Sequence, residues 1–485
     1  MSTSVSPEEL FQQGSTYFQS YQLEKALEIM SQLHLQSQLQ NGSELSFHKQ
    51  ILWCNILLAK NRFSGNPSYA QLALYKLEEL QQLLPPAYVH SGTTSLPLLV
   101  AQAHFQLNNL DKARRLIEQF LSARVTAEFF VGQVQAYTLL GFIAIASFKL
   151  PKALEFARKI QALLTEYSTK LSSQELSATY DFLSTLFLKQ EDYTQANVYA
   201  NQLEELGQEN THLQEPLIIG KLQLAQIAIA QQQYESAMLK LVQAKSLSKK
   251  IRQENLYARS ILYIGNVYTQ VTSYQNAIDN FIAIQEGYDF LLQTPSYKHL
   301  YNSALGKSCY YTNQLATAET HFAELVASAE KNQDKNALIL GLAYLSNIQT
   351  AQKKFKKALM LAKRTNNLIE QIGTDVAGLQ LNLINLGNIH YQLGKYSEAV
   401  KLTSRGITAS KRLKDELSEI KGYQVMSSIF QKQKDYKNAL LYQTIYSKFF
   451  EDFFLRNDRQ KIREIEQDAI IQELKDKGNK YSMSK

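Results

Sequence analysis

The sequence predicts an all-α protein, a right-handed superhelical solenoid of antiparallel helix pairs with about eleven repeats and a C-terminal helix. Three observations carry this expectation: a helix-forming composition, a small-residue mark that returns about every forty residues, and apolar spacing of helical period between the marks. Of the 485 residues 45% are hydrophobic and 11% aromatic, which excludes a disordered chain and gives a large core to bury. Only 19 Gly and 8 Pro are present, too few for a turn-rich all-β chain or a collagen-like one. The two cysteines, Cys54 and Cys309, sit far apart within apolar helical patterns. They imply a reducing compartment and offer neither a disulfide framework nor a metal-ligand spacing.

The recurring pattern is clearest in Leu386-Gly387-Asn388-Ile389-His390-Tyr391, followed by Gly394, Tyr396 and Ala399. It returns without gaps as Ile264-Gly265 with Tyr268, Tyr274 and Ala277, as Leu305-Gly306 with Cys309, Leu315 and Ala318, and as Leu140-Gly141 with Ala144, Leu150 and Ala153. Gly14, Tyr17, Leu23 and Ala26 fit the same register. The alanine serves as a ruler: Ala26, Ala70, Ala113, Ala153, Ala196, Ala237, Ala277, Ala318, Ala358, Ala399 and Ala439. Its steps are 44, 43, 40, 43, 41, 40, 41, 40, 41 and 40 residues. Each unit reads as two amphipathic helices, with small residues where backbones approach and large ones a turn away to fill the gap.

These residues resemble the tetratricopeptide repeat family, over about residues 8–450, with a period nearer 40 than the family's usual 34. The resemblance extends to the repeat regions of bacterial signalling and regulatory proteins and implies a binding module, stable as a sum over neighbours and offering a concave surface lined by first helices. The second unit, 45–84, is irregular: Arg62-Phe63-Ser64-Gly65-Asn66-Pro67-Ser68 lengthens its turn, and Pro85-Pro86 with Ser91-Gly92-Thr93 interrupts the chain after it. A charged C-terminal helix is expected over 451–478, with 479–485 as a tail. There Leu455, Ile462 and Ala469 recur at sevens, about two heptads, enough for a cap or for pairing with a second copy in a homodimer.

No catalytic, cofactor or metal site is expected. Gly306-Lys307-Ser308 is the ending of a phosphate-binding loop, but Tyr301 stands where that loop needs an earlier glycine and no strand precedes it. The eight histidines form no metal-ligand motif, and His390 occupies the position that Tyr268 and Phe430 fill in other units. Phe129 to Phe148 is an uncharged stretch of membrane-spanning length, but the repeat register accounts for its apolar positions, so no membrane span is expected. The first residues lack a basic segment followed by an apolar one, so a cytoplasmic location is expected.

The position after the glycine mark turns away from the packing within a repeat and, by the family resemblance, towards the groove. It reads Ser15, Gln102, Phe142, Thr185, Gln226, Asn266, Lys307, Asn347, Asn388 and Ser428. Asn266, Asn347 and Asn388 match the asparagine that clamps the backbone of an extended peptide in related repeats, since one amide both donates and accepts. Gln226 and Lys307 share the register, and Tyr310, Tyr311, Tyr344 and Tyr391 are candidate anchor pockets or inter-helix core. A chaperone-type carboxylate clamp would need Lys four residues before each Asn, where this sequence has Leu262, Ala343 and Ile384. From residue 335 onward 26 Lys or Arg stand against 15 Asp or Glu, a net of +11, whereas the preceding 334 residues carry −4. Lys353, Lys354, Lys356 and Lys357 crowd one turn, and Lys411, Arg412 and Lys414 another. Without interleaved aromatics or a nucleic-acid motif, an acidic protein or peptide is the expected partner rather than nucleic acid. The expected function is a non-enzymatic adaptor or regulator that binds a partner peptide or helix in the groove. A sensor of a small signalling peptide that controls a partner protein, or a regulatory subunit of an enzyme or transcription complex with nucleic-acid contact through the basic C-terminal half, is the alternative.

Overall fold

A computed structural model of the chain describes residues 7–19, 23–39, 47–83, 96–122, 129–209, 214–373, 378–456 and 462–468. Helices follow one another as α1 (Pro7–Gln19), α2 (Leu23–Leu39), α3 (Phe47–Ser64), α4 (Pro67–Leu83), α5 (Leu96–Gln106), α6 (Leu110–Ser122), α7 (Phe130–Ala146) and α8 (Leu150–Tyr167). Then come α9 (Ser173–Lys189), α10 (Tyr193–Glu209), α11 (Gln214–Ala230), α12 (Tyr234–Lys250), α13 (Glu254–Gln270), α14 (Tyr274–Gly287) and α15 (Pro295–Tyr311). The array continues with α16 (Leu315–Asn332), α17 (Lys335–Ala351), α18 (Phe355–Ile372), α19 (Leu379–Gln392), α20 (Tyr396–Arg412), α21 (Glu416–Lys432) and α22 (Tyr436–Arg456). Among the described residues there is no strand, and each odd-numbered helix other than α13 packs on the even-numbered one after it. A further short helix covers 462–468. The interruption expected at Pro85-Pro86 and Ser91-Gly92-Thr93, and the expected regions 457–461 and 469–485, lie outside the described residues.

The ruler alanines explain the pairing. All are fully buried from Ala26 to Ala399, and Ala439 in the last pair retains 8% exposure. Each sits in the first turn of a second helix, where a larger side chain would hold the two backbones apart. Opposite them, a Cβ on Gly306 would come within 3.0 Å of the Phe322 ring, and one on Gly387 within 2.1 Å of the Thr403 hydroxyl. The small residues therefore admit the side chains of the paired helix into the seam.

The turn within each pair has a conformation that the sequence conceals. Five residues before the ruler alanine the backbone is left-handed, at Asn108, Phe148, Glu191, Gln232, Thr272, Asn313, Lys353 and Lys434, with glycine only at Gly65 and Gly394. The next amide closes the first helix by bonding the carbonyl five residues back, as in Gln233 N to Ala228 O and Lys354 N to Gln349 O, both 2.8 Å. This is the Schellman closure, which normally recruits glycine because a Cβ costs about 1–2 kcal/mol in that region.

Two compact units are formed. The first contains the residues up to Tyr263 together with Tyr288–Thr294, and the second contains Ile264–Gly287 and Pro295–Asp468. In the first, successive apolar clusters such as Ala153, Ile160, Phe182, Leu186 and Ala196 draw on one pair and the next, the nearest-neighbour core of a repeat array. In the second, Ile384, Ala399, Ile407, Val425 and Ile429 do the same. The uncharged stretch from Phe129 buries Val134, Ala136, Leu140 and Ile143 within α7. No helix among the described residues is long and apolar enough to cross a membrane.

Candidate functional site

The first helices of successive pairs are joined by polar side chains about one repeat apart. Thr138 meets Thr179 at 3.3 Å, Gln223 donates to Asp181 at 2.5 Å and Thr185 at 2.8 Å, Thr269 meets Ser308 at 3.1 Å, and Asn385 donates to Ser346 at 2.7 Å. Ser346 also donates to the Ala358 carbonyl of its second helix at 2.8 Å, and most of this polar row is buried between neighbouring pairs.

In the second unit the first helices of non-adjacent pairs touch. Lys421 of α21 donates from Nζ to Asn347 Oδ1 of α17 at 3.0 Å, across the whole α19/α20 pair. The same ammonium lies 5.6 Å from the centre of the Tyr310 ring of α15. Tyr310 packs edge-on against Tyr344 at 5.8 Å and Tyr311 at 5.2 Å, and Tyr311 stacks on Tyr274 at 5.0 Å. Tyr344 is in turn held flat on the fully buried Phe322, 4.5 Å between centres. Helical spacing explains the convergence: Lys307, Tyr310 and Tyr311 share one face of α15, as Tyr344 and Asn347 share one face of α17.

The electrostatics follow from this crowding. Burial pulls the Lys307 ammonium below the usual lysine range, and Asp415 pushes it back up. Burial, then the neighbouring tyrosines and Asp415, raise the Tyr344 and Tyr311 hydroxyls well above the usual phenol range, with a hydrogen bond from Tyr344 opposing this at Tyr311. Tyr311 nonetheless keeps 38% of its surface exposed, so the cluster lines a cleft that water reaches. Asp415 is already engaged as the N-cap of α21, accepting from Ser418 N at 3.1 Å, Ser418 Oγ at 2.5 Å and Gln380 Nε2 at 2.8 Å. Lys307 makes no hydrogen bond or ion pair among the described residues.

Asn347 is only 3% exposed, and among the described residues its Nδ2 has no hydrogen-bond partner. Of the other residues singled out from sequence, Asn266 is buried in α13 and accepts from Gln270 at 3.3 Å. Asn388 and Tyr391 are half-buried on α19, where Tyr391 packs with Tyr396 at 6.2 Å in the apolar seam, away from the other three tyrosines. Gln226 belongs to the first unit, half-buried, its amide turned onto the Leu222 carbonyl at 3.4 Å. The two lysine-rich turns lie on opposite edges of the second unit. Lys353, Lys354, Lys356 and Lys357 are exposed where a first helix gives way to a second, and Lys411, Arg412 and Lys414 where a second gives way to a first. Lys357 approaches Glu319 at 3.8 Å, and Lys411 approaches Glu419 at 3.8 Å.

The first unit carries an acidic counterpart. Arg62 of α3 reaches Glu215 of α11 at 2.9 Å, across three intervening pairs. Asp181 of α9 is engaged by Gln223 and feels Arg259 and Arg62. Burial raises both carboxyls above the usual range, the arginines opposing it. The turn that begins α4 is held nearby, with Gly65 against the ring of Phe290 so closely that a Cβ would stand 2.1 Å from it.

Sequence reasoning passed over Lys421, Asp415, Gln380 and Tyr274, and Arg62, Asp181, Glu215 and Arg259. Two of these had a signal. Lys421 and Arg259 stand seven residues, two helical turns, before the post-glycine positions Ser428 and Asn266, so they share that face. Asp181 stands four before Thr185, in the row searched for lysine.

No protein-family model and no curated protein matches the sequence. Solved structures do match. A Rap protein complexed with the Competence and Sporulation Factor is similar at 12% identity and a TM-score of 0.52, over 74% of this chain and 98% of that one. The apo form of the quorum sensor NprR from B. thuringiensis is similar at 12% identity and 0.45, over 72% of this chain and 95% of that one. Aspartyl phosphate phosphatase F from Bacillus subtilis follows at 14% and 0.40, over 68% and 95%. With the helix pairs and their ruler alanines, the likeness to the Rap protein establishes the fold as an array of tetratricopeptide-like repeats.

Proposed function

We propose that this chain is a non-enzymatic regulator or adaptor that receives an extended peptide, either a partner's segment or a free signalling peptide, on the inner face of its second unit. One observation carries the reading: Asn347 is buried beside three tyrosines with its amide N–H unpartnered and its carbonyl oxygen held only by the end of a long lysine side chain. A buried donor left unmade costs about 1–3 kcal/mol, a cost that a ligand's backbone carbonyl would remove. That a Rap protein of this fold was crystallised with the Competence and Sporulation Factor supports a ligand-receiving inner face. The exposed lysine turns supply a second surface, suited to an acidic protein rather than to nucleic acid.

In this reading 8–450 acts as one repeat array and the segment after it as a cap. Ile462 is buried, the Tyr268 hydroxyl donates to Glu466, and Arg463 reaches Asn276, so the 462–468 helix spends its contacts on its own chain. Leu455, one heptad before Ile462, is largely exposed, so the two do not share a seam.

The test is retention of peptides from an extract of cells that make the protein, by wild type and by Asn347→Ala, with circular dichroism as the fold control. We expect wild type to retain specific peptides and the variant to bind them at least tenfold more weakly, about 1.4 kcal/mol. Small-angle scattering of the loaded wild type then separates a sensor, which changes its dimensions, from an adaptor, which does not. Failure of wild type to retain any peptide, or equal binding by the variant, refutes the proposal.

A further inference from the structure

We infer that the inner face of the second unit recognises a carboxylate on its peptide, gripped between Lys307 and Lys421, and that Lys421 exchanges Asn347 for that carboxylate when the ligand enters. The inference rests on the peptide-binding reading above and adds the chemistry of the ligand.

Two ammonium groups, Lys307 and Lys421, come from α15 and α21, and Asp415 is the acid that bears on Lys307. Asp415 already accepts three hydrogen bonds, from Gln380 and twice from Ser418. It anchors the start of α21 and has no bonded approach to either lysine. Lys421 instead rests on two neutral groups, the Asn347 oxygen at 3.0 Å and the Tyr310 ring at 5.6 Å. Buried cations are ordinarily paired, because desolvation penalises a charge with no opposite partner. Two half-buried lysines against one acid, Asp415, that is already bonded to neutral groups therefore leave excess positive potential. An anion entering it gains charge-assisted bonds, roughly twice as strong as neutral ones.

Hydrogen-bond accounting makes the exchange specific. The Lys421 to Asn347 bond breaks and Lys421 turns to the ligand's carboxylate. The Asn347 amide, now free at both ends, accepts from a backbone N–H of the ligand with Oδ1 and donates to a backbone carbonyl with Nδ2. One neutral-acceptor bond is replaced by one ionic bond and two amide bonds, and the buried donor is satisfied. A neutral peptide could take the Nδ2 donor and the second lone pair of Oδ1, but it offers Lys421 no anion, so Lys421 would stay on Asn347. Only an acid therefore draws Lys421 away from Asn347. Because the Lys421–Asn347 contact spans a whole helix pair, its exchange also alters the tie between the α17/α18 and α21/α22 pairs.

The carboxylate has two sources, a free C-terminus or an Asp or Glu side chain, and the test separates them. Three positional-scanning pools of acetylated peptides are offered to the full chain: one with Asp and Glu and a free C-terminus, one amidated at the C-terminus, and one lacking Asp and Glu. Retained peptides are identified by mass spectrometry and their affinities measured against wild type, Lys307→Met and Lys421→Met. Methionine preserves the apolar stem of each lysine, and circular dichroism checks the fold. We expect peptides retained by wild type to lose at least tenfold in affinity when their carboxylate is removed. The amidated pool identifies the C-terminus as the source, and the acid-free pool identifies a side chain. Each methionine variant should show the same loss and bind acidic and neutral versions alike. Retention by wild type without regard to carboxylates, or an unchanged preference in both variants, overturns the inference while leaving the peptide groove intact. Retention of nothing by wild type overturns both.

Discussion

Gly141 and Gly306 occupy the same place in the repeat, each after a leucine and each twelve residues before a ruler alanine, yet alanine should affect them differently. In both helices the substitution gains about 1 kcal/mol of helix propensity. At Gly306 the new Cβ meets three atoms of the Phe322 ring at 3.0, 3.1 and 3.2 Å, so a movement of a few tenths of an ångström relieves it. At Gly141 it meets the Phe182 ring at 2.3, 2.3 and 2.9 Å. Reaching ordinary contact there requires the ring to move by about 1 Å in a close-packed interior, and Phe182 is fully buried. Overpacking of that kind costs about 1–3 kcal/mol, so Gly141→Ala should lose up to about 2 kcal/mol net while Gly306→Ala stays within about 0.5 of wild type. Global unfolding is a poor gauge, because a repeat array need not unfold in one step. Hydrogen exchange read by mass spectrometry, peptide by peptide, gives the opening free energy of α7–α9 and of α15–α16 separately. Adding Phe182→Leu to Gly141→Ala should recover part of the loss. Equal destabilisation by the two alanines, confined to their own repeats, would refute the reasoning from ring distance.

Two further outcomes follow from the same structure. Burial raises the Asp181 carboxyl, so its contribution to stability is fully present below the ordinary carboxylate range, near pH 4, and is lost as pH rises through the folded value. Asp181→Asn keeps a neutral acceptor for Gln223 and should therefore match wild type at the acid end and exceed it towards neutrality, by about 1.4 kcal/mol for each tenfold by which folding tightens the carboxyl's hold on its proton. Exchange of α9 and α11 measured across pH 4–8 checks this, and a constant or reversed difference would oppose it. Gly394 has a φ of +74° and open space where an added methyl would stand, so Gly394→Ala tests conformation alone. It should loosen the α19–α20 turn by about 1 kcal/mol in the same exchange measurement, whereas no change would mean that this turn adapts without strain.

The repeat was legible because its cause is local and periodic. The ruler alanines mark points where two helix backbones approach, and any larger side chain there would separate them, so Ala26 to Ala399 are spaced evenly in sequence and all fully buried in space. The helix pairs, and the shared helix faces of Lys307, Tyr310 and Tyr311 and of Tyr344 and Asn347, follow from that spacing and from 3.6 residues per turn. The left-handed residues at Glu191, Gln232 and Lys353 were not legible, since the stacking of two helices imposes that conformation and no glycine announces it. Nor could spacing distinguish Tyr344, aimed at the cleft, from Tyr391, packed in the seam with Tyr396. The packing within each unit decided the rest. Lys421 meets Asn347 across 74 residues and Arg62 meets Glu215 across 153, separations at which a sequence period carries no information about distance. Local sterics wrote the repeat into the sequence, and the packing of successive pairs within each unit selected which charges stand face to face.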